Sequence, residues 1–386
     1  MREWARLPLG ARRSTTEEET VNDQLATIID HPFDATLSRR QVLKFAGYGV
    51  GVASLGSLLA ACGGSSVASG ASSGLTKVSD QLGYLAYSQF AGYFAAEQLG
   101  YYAQCGLDDK VLAGGQNLSS TQLVAAGTVT YGDENNDNIL QAIEKGIPVK
   151  LIGALYQKSP YAVMSLPAAP IRTLADFQGK TIAILAQTED FIKPLMVSQG
   201  LDPNKVHWVP AAPDGSALLS GAIQGYTGYS TSQGVGLQAQ APDLIITLFD
   251  EIGLHAYANV LIARNDTIAN RPHEVIKYVR ATSKGYRYVN QHPDEWGPIM
   301  ATKYGPPGEN GATETKIQKA QAPLIESALG PLWIDIDKET SIIADDYRLK
   351  VITKQLAIGD VVATDLVKAI WNGWKTDDAL PGPGVS

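Results

Sequence analysis

The sequence predicts an α/β protein built as a two-lobed clamp, each lobe a mainly parallel sheet flanked by helices. Three observations carry that expectation. From about Lys77 onward, short β-rich runs alternate with helical stretches, the pattern of parallel sheets covered by helices. At Pro167-Ala168-Ala169-Pro170 the alternation breaks, and a short helix and a fresh strand follow, as at a crossing into a second lobe. Near Tyr257 to Ala263 a further apolar strand leads into helix-rich sequence, as a return to the first lobe would.

The elements follow in order. Leu82 to Tyr87 reads as a strand and Gly92 to Tyr101 as an amphipathic helix; Val111-Leu112-Ala113 is a short strand, and Ser119 to Ala126 a helix closed by Gly127. Asn138 to Lys145 is a helix ending at Gly146, with Pro148 beyond it, a combination that stops helices. Val149 to Ala154 and Ala162 to Leu166 are apolar strands. Thr173 to Phe177 starts a short helix and Lys180 to Leu185 a new strand, followed by Val206 to Val209, a helix from Ser216 to Ile223, and Leu244 to Phe249. Helices are expected over His273 to Asn290, Pro293 to Tyr304, Thr313 to Ala328 and Ser341 to Leu356. No strong internal repeat is visible.

Composition narrows the function. The chain has 386 residues, 45 % hydrophobic and 18 % charged, enough for a normal core. A formal net charge of −8 offers no basic footprint for nucleic acid. The five histidines are scattered and there are two cysteines, so no metal-ligand spacing appears and neither metal nor cofactor is expected.

The first sixty residues read as an address. Ser38-Arg39-Arg40-Gln41-Val42-Leu43-Lys44 places paired arginines before a mildly apolar stretch, Phe45 to Ala61, which ends in Leu59-Ala60-Ala61-Cys62-Gly63. The arginine pair resembles a twin-arginine signal, and the Leu-Ala-Ala-Cys run resembles a bacterial lipobox in which Cys62 takes a lipid and becomes the new N-terminus. The Gly/Ser-rich run from Gly63 to Gly74 then suits a flexible tether. The leader before Ser38, with Glu17-Glu18-Glu19, is long for an export signal. Removing residues 1–61 leaves the net charge at −8, and Cys105 then stands without a disulfide partner. The expected organisation is a signal over 1–61, a tether over 62–76, lobe one over 77–166, lobe two over 167–256, and a return to lobe one over 257–386.

Five stretches, in order, resemble the periplasmic-binding-protein-like (type II) group that serves thiamine-pyrimidine, sulfonate, taurine and nitrate ABC importers. Phe90 to Tyr102 resembles the family's first helix with its Gly-aromatic-aromatic turn, and Cys105-Gly106-Leu107-Asp108 follows where the family carries an acidic residue, Gly, Leu and Asp. Gln122 to Gly127 resembles a Gln-Leu-…-Gly helix end. Gln157 to Ala162 with Leu174 to Ile182 resembles the crossover and entry to the second lobe, and Tyr257 to Leu261 with Arg280 to Gly285 resembles the return. The resemblance implies an exported, monomeric solute-binding protein, held by lipid to the outer face of the membrane and delivering a small solute to a permease.

Loops at strand ends should form the cleft walls. The ligand-binding candidates are Tyr87, Gln89 and Tyr93 after the first strand, and Glu134 and Asn135 in the polar run Gly132 to Asn138. Tyr156 beside the crossover, Gln187 and Thr188 in lobe two, and Tyr229 complete the set. Asn136 or Asp137, and Thr188 or Glu189, also fit plain helix capping, and Tyr226 and Tyr229 fit ordinary packing. Gln224-Gly225 departs from the family's acidic-alanine pair. Tyrosines supply flat faces and hydroxyls, and no arginine falls among the candidates, so a neutral or weakly basic heteroaromatic such as a thiamine-related pyrimidine is favoured over a sulfonate or nitrate. An enzyme that makes the thiamine pyrimidine shares the family, but its cysteine cluster and cofactor lysine have no counterpart here. An exported sensor is the other alternative. No Gly-x-Ser-x-Gly elbow is present.

Overall fold

The computed structural model describes residues 74–115, 118–212 and 215–382, apart from the side chains of residues 186 and 187. The signal, Cys62 and most of the tether therefore lie outside the described residues. Among the described residues, ten strands form two five-stranded sheets. Sheet one has the order β2-β1-β3-β10-β4, from β1 (Thr76–Gln81), β2 (Leu107–Leu112), β3 (Tyr131–Glu134), β4 (Val149–Tyr156) and β10 (Ala258–Arg264). Sheet two has the order β7-β6-β8-β5-β9, from β5 (Tyr161–Ser165), β6 (Thr181–Ile184), β7 (His207–Pro210), β8 (Gly225–Tyr229) and β9 (Ile245–Leu248).

The two sheets repeat one plan that the sequence hides. In sheet one β1 runs parallel to β2 and β3, while β10 runs antiparallel to both neighbours. In sheet two β6 runs parallel to β7 and β8, and β5 runs antiparallel to both of its neighbours. Each reversed strand is the one that enters from the other sheet, so residues 157–160 and 249–257 are the crossovers. Both sheets are thus four strands to one, the mainly parallel α/β class that the sequence predicts. The lobe boundary at residue 166 needs correcting. Tyr161–Ser165 hydrogen-bonds β8 and β9, so the chain has already crossed before Pro167, and Pro167 to Pro170 is a turn inside lobe two.

Burial explains the strands. β4 reads Val-Lys-Leu-Ile-Gly-Ala-Leu-Tyr and is buried at every position but Lys150, as strands covered on both faces are. In sheet two the period of two sends alternate residues to opposite cores: Val163, Ile182 and Ile184 to one face, Met164 and Ala183 to the other.

Five helices matter for the site and its footing: α1 (Ala91–Gln98), α2 (Asn136–Glu144), α3 (Pro272–Gln291), α4 (Gly311–Ile325) and α5 (Ile336–Leu349). α3 begins on Pro272 and buries Val275, Tyr278, Val279, Thr282, Tyr286 and Val289, one helical face. It meets α1 almost backbone to backbone, since a Cβ on Gly285 would sit 2.1 Å from the Gly92 carbonyl oxygen. Asn310 caps α4, and Asp335 caps α5, with side-chain oxygens that accept from first-turn amides.

Several expected elements shift. Leu82 to Tyr87 is a turn rather than a strand; the strand is Thr76–Gln81, disguised by the buried polar residues Asp80 and Gln81. The helix expected from Ser216 is a single turn, Ser216–Leu219, ended by Gly221 at φ 76. The helix expected over Ser341 to Leu356 begins at Ile336 and stops at Leu349, where Lys350 takes a left-handed φ of 66. No helix among the described residues is long and apolar enough to cross a membrane.

Candidate functional site

The ends of β3, β4 and β8 meet at a seam between the two sheets. Tyr229 closes β8 in sheet two, and its hydroxyl donates to Asn135 Oδ1, just after β3 in sheet one, at 3.3 Å. Its ring stands edge-on to Tyr161 at 4.6 Å between centroids and to Tyr156 at 6.4 Å, both on strands that flank the first crossover. Edge-to-face packing at these separations is favourable beyond simple burial. Glu134 Oε1 accepts from the Asn135 amide at 3.0 Å and from Asn138 Nδ2 at 3.1 Å, which fixes the bend between β3 and α2.

α4 supplies the other wall. Glu314, Gln318 and Gln321 lie four and three residues apart, hence on one helical face, and all three are buried. They surround Ser88, at the turn leading into α1. Glu314 accepts from the Ser88 amide at 3.2 Å and from its hydroxyl, while Gln318 and Gln321 both donate to the Ser88 carbonyl, at 3.2 and 3.0 Å. Tyr156 donates to Gln321 Oε1 at 3.1 Å, so one chain of hydrogen bonds runs from Ser88 through α4 to the tyrosine seam. Beside Ser88, Tyr87 stacks on half-exposed Tyr84 at 6.1 Å. Sequence reading missed Glu314, Gln318, Gln321 and Tyr161. The 4-and-3 spacing of polar residues on α4 was the available signal, but polar faces on helices usually point to water.

The sequence-derived candidates divide. Asn135, Glu134, Tyr156 and Tyr229 come together at the seam. Tyr87 and Gln89 flank Ser88 and are half-buried. Tyr93 is fully buried within α1, its hydroxyl donating to Asp133 Oδ2 at 3.2 Å, which makes it part of the lobe-one core. Thr188 is buried in the first turn of the helix Ala186–Ser198 that follows β6, donating to the Leu185 carbonyl at 2.8 Å beside Thr227. The Gln187 side chain lies outside the described residues. Of the capping candidates, Asn136 instead donates to Glu339 of α5, while Asp137 turns its carboxylate onto the amides of residues 137 and 138.

Burial governs the electrostatics. It pushes Glu314 upward, with Ser88's hydrogen bonds opposing, and pushes Glu134 upward against the Asn135 amide. Asp137 is raised to about 6, mainly by burial. Burial also raises the hydroxyls of Tyr156, Tyr161 and Tyr229, which therefore remain protonated donors at ordinary pH. None of the seam groups named here is cationic. A cavity of about 470 Å³ lies beside both crossovers, lined by Gln157, Lys158, Asp250, His255, Tyr257 and Lys338. Among the described residues no group of three or more Cys, His, Asp or Glu is placed to hold a metal ion.

Two α/β lobes, two crossovers and a polar, aromatic seam between them define a periplasmic-binding-protein-like clamp. The NMT1/THI5-like family model matches residues 87–296, more than half of the chain, and the chain belongs to that family. It is 26 % identical over 230 residues to the riboflavin-binding protein RibY of Chloroflexus aurantiacus, covering 57 % of this chain and 64 % of that one. It is 24 % identical over 205 residues to the 4-amino-5-hydroxymethyl-2-methylpyrimidine phosphate synthase of Legionella pneumophila, covering 52 % and 65 %. The chain thus spans a little under two thirds of the length of these curated relatives. Among solved structures, the aliphatic sulphonate binding protein SsuA of Escherichia coli shares the fold, with a TM-score of 0.59, 11 % identity, and coverage of 74 % of this chain and 91 % of that one.

Proposed function

We propose that this protein is the extracytoplasmic solute-binding component of an ABC importer, closing its two lobes over a small solute and handing it to the permease. Cys62 anchors it by lipid to the outer face of the membrane, and it works as a monomer without catalysis. The solute is a flat, neutral or weakly basic heteroaromatic, best represented by a thiamine-related pyrimidine. One observation carries this choice: Tyr156, Tyr161 and Tyr229 meet Asn135 at the seam, tied to the Glu134 carboxylate and the Gln321 amide, and none of these groups is cationic. Tyrosine faces suit a ring, and amide and carboxylate oxygens accept from ring amino groups. A sulfonate or nitrate would call for a guanidinium or comparable donor set. The similarity to RibY supports the same ligand class, a flat heteroaromatic. The similarity to the pyrimidine phosphate synthase favours a pyrimidine, while the two cysteines of this chain leave no cluster for that enzyme's chemistry.

A thermal-shift panel of pyrimidines, riboflavin, taurine, alkyl sulfonates, nitrate and bicarbonate tests the reading, because a ligand that binds only the folded state raises the melting temperature. A rise with heteroaromatics is expected. A rise confined to sulfonates or nitrate would overturn the ligand class and keep the importer role.

A further inference from the structure

Asn135 stands at the N-cap of α2, with the extended backbone (φ −73, ψ 143) of such a position. Asparagine there normally spends its side-chain oxygen on a free amide of its own helix. This one makes no side-chain cap bond; its Oδ1 accepts the Tyr229 hydroxyl from the opposite lobe. Both partners are held in place by other bonds. Glu134 Oε1 accepts the Asn135 amide, and Gln233 Oε1 accepts the Tyr229 amide at 2.9 Å. Tyr156 and Tyr161 enclose the Tyr229 ring, and burial keeps its phenol a donor across ordinary pH.

We propose that the Tyr229 hydroxyl and the Asn135 amide form a latch between the lobes that holds the protein partly closed without any ligand. A net hydrogen bond of this kind shifts the open-to-closed ratio by roughly two- to tenfold. The latch therefore raises affinity for whatever solute fits, by lowering the cost of closure, and slows its release. The inference rests on the clamp reading for the existence of lobe motion and on no ligand assignment.

Hydrogen–deuterium exchange on the ligand-free, full-length protein tests it, using Tyr229→Phe, Asn135→Ala and the double variant. Tyr229→Phe keeps the ring and its packing, and Asn135→Ala removes no cap bond. Each single variant is expected to lower protection of amides in both 135–140 and 229–235 by about two- to tenfold, and the double variant to add nothing further. Effects confined to the mutated residue's own segment, or effects that add in the double variant, would overturn the latch. Because no ligand is present, silence in the thermal-shift panel would count against the proposed solute and leave this result standing.

Discussion

Glu339 offers a sharp test of how lobe one is set. It lies fully buried on α5 with both carboxyl oxygens facing Asn136 Nδ2, at 3.1 and 3.2 Å, while Asn136 Oδ1 has no partner. Burial raises its pKa from 4.5 to about 8, outweighing the Asn136 bonds. A carboxyl whose folded pKa is raised binds more protons folded than unfolded between those two values. Its contribution is therefore most favourable below about pH 4.5 and is lost as pH climbs through 8. Over the 3.5 pH units between 4.5 and about 8, at about 1.4 kcal/mol per unit, the loss is on the order of 5 kcal/mol. Asp80 and Asp346, each raised to about 7 chiefly by burial, lose stability in the same direction. Glu339→Gln replaces the group with a neutral amide that stays uncharged at every pH. Urea midpoints at pH 5 and pH 9 should show wild type weakening markedly toward pH 9, and the variant weakening by a few kcal/mol less. Equal slopes in the two proteins, or a variant that falls further behind wild type at pH 9 than at pH 5, would refute the reasoning.

Other consequences are read the same way. Gly285→Ala would drive a methyl into the Gly92 carbonyl and the Ala96 backbone, so it should cost about 1–3 kcal/mol in a melting experiment; a neutral result would mean that α1 and α3 are not packed backbone to backbone. Tyr156→Phe removes one buried bond to Gln321, worth about 1 kcal/mol, and should leave the secondary structure seen by circular dichroism unchanged. Glu314→Ala strips the Ser88 amide and hydroxyl of their acceptor and should raise hydrogen exchange around residues 84–91 with little change in sheet two. Cys105 is buried and its thiol is pushed up to about 11 by burial, so peptide mapping after alkylation at pH 8 should find it unmodified until the protein is denatured.

Much of the fold was legible because its signals are local. The apolar run of β4 and the Gly146 stop of α2 declare their elements directly. β1 was misplaced because its buried C-terminal end carries Asp80 and Gln81, one on each face, and only the tertiary structure shows them buried, Asp80 against the Tyr278 hydroxyl and Gln81 against the carbonyls of Leu112 and Ala113. The crossover at 157–160 was assigned too late, since β5 is as apolar as a lobe-one strand and only its pairing with β8 reveals its sheet. At the site, strand-end positions pointed to Asn135, Tyr156 and Tyr229. The α4 spacing is visible in the sequence, but the burial of its polar face and the packing of Tyr161 against Tyr229 depend on contacts between segments far apart in sequence, so the pattern alone reads as a face turned to water. Tyr93 shows the converse, a polar-tipped aromatic near the right loop that turns inward to Asp133.

The most direct test of the account is calorimetric titration of the protein with 4-amino-5-hydroxymethyl-2-methylpyrimidine, in wild type and in Tyr156→Ala. The account predicts saturable one-to-one binding, weakened at least about tenfold in the variant, as loss of an aromatic wall would require. Binding that is absent in wild type while an alkyl sulfonate or nitrate titrates, or that is indifferent to Tyr156, would contradict it.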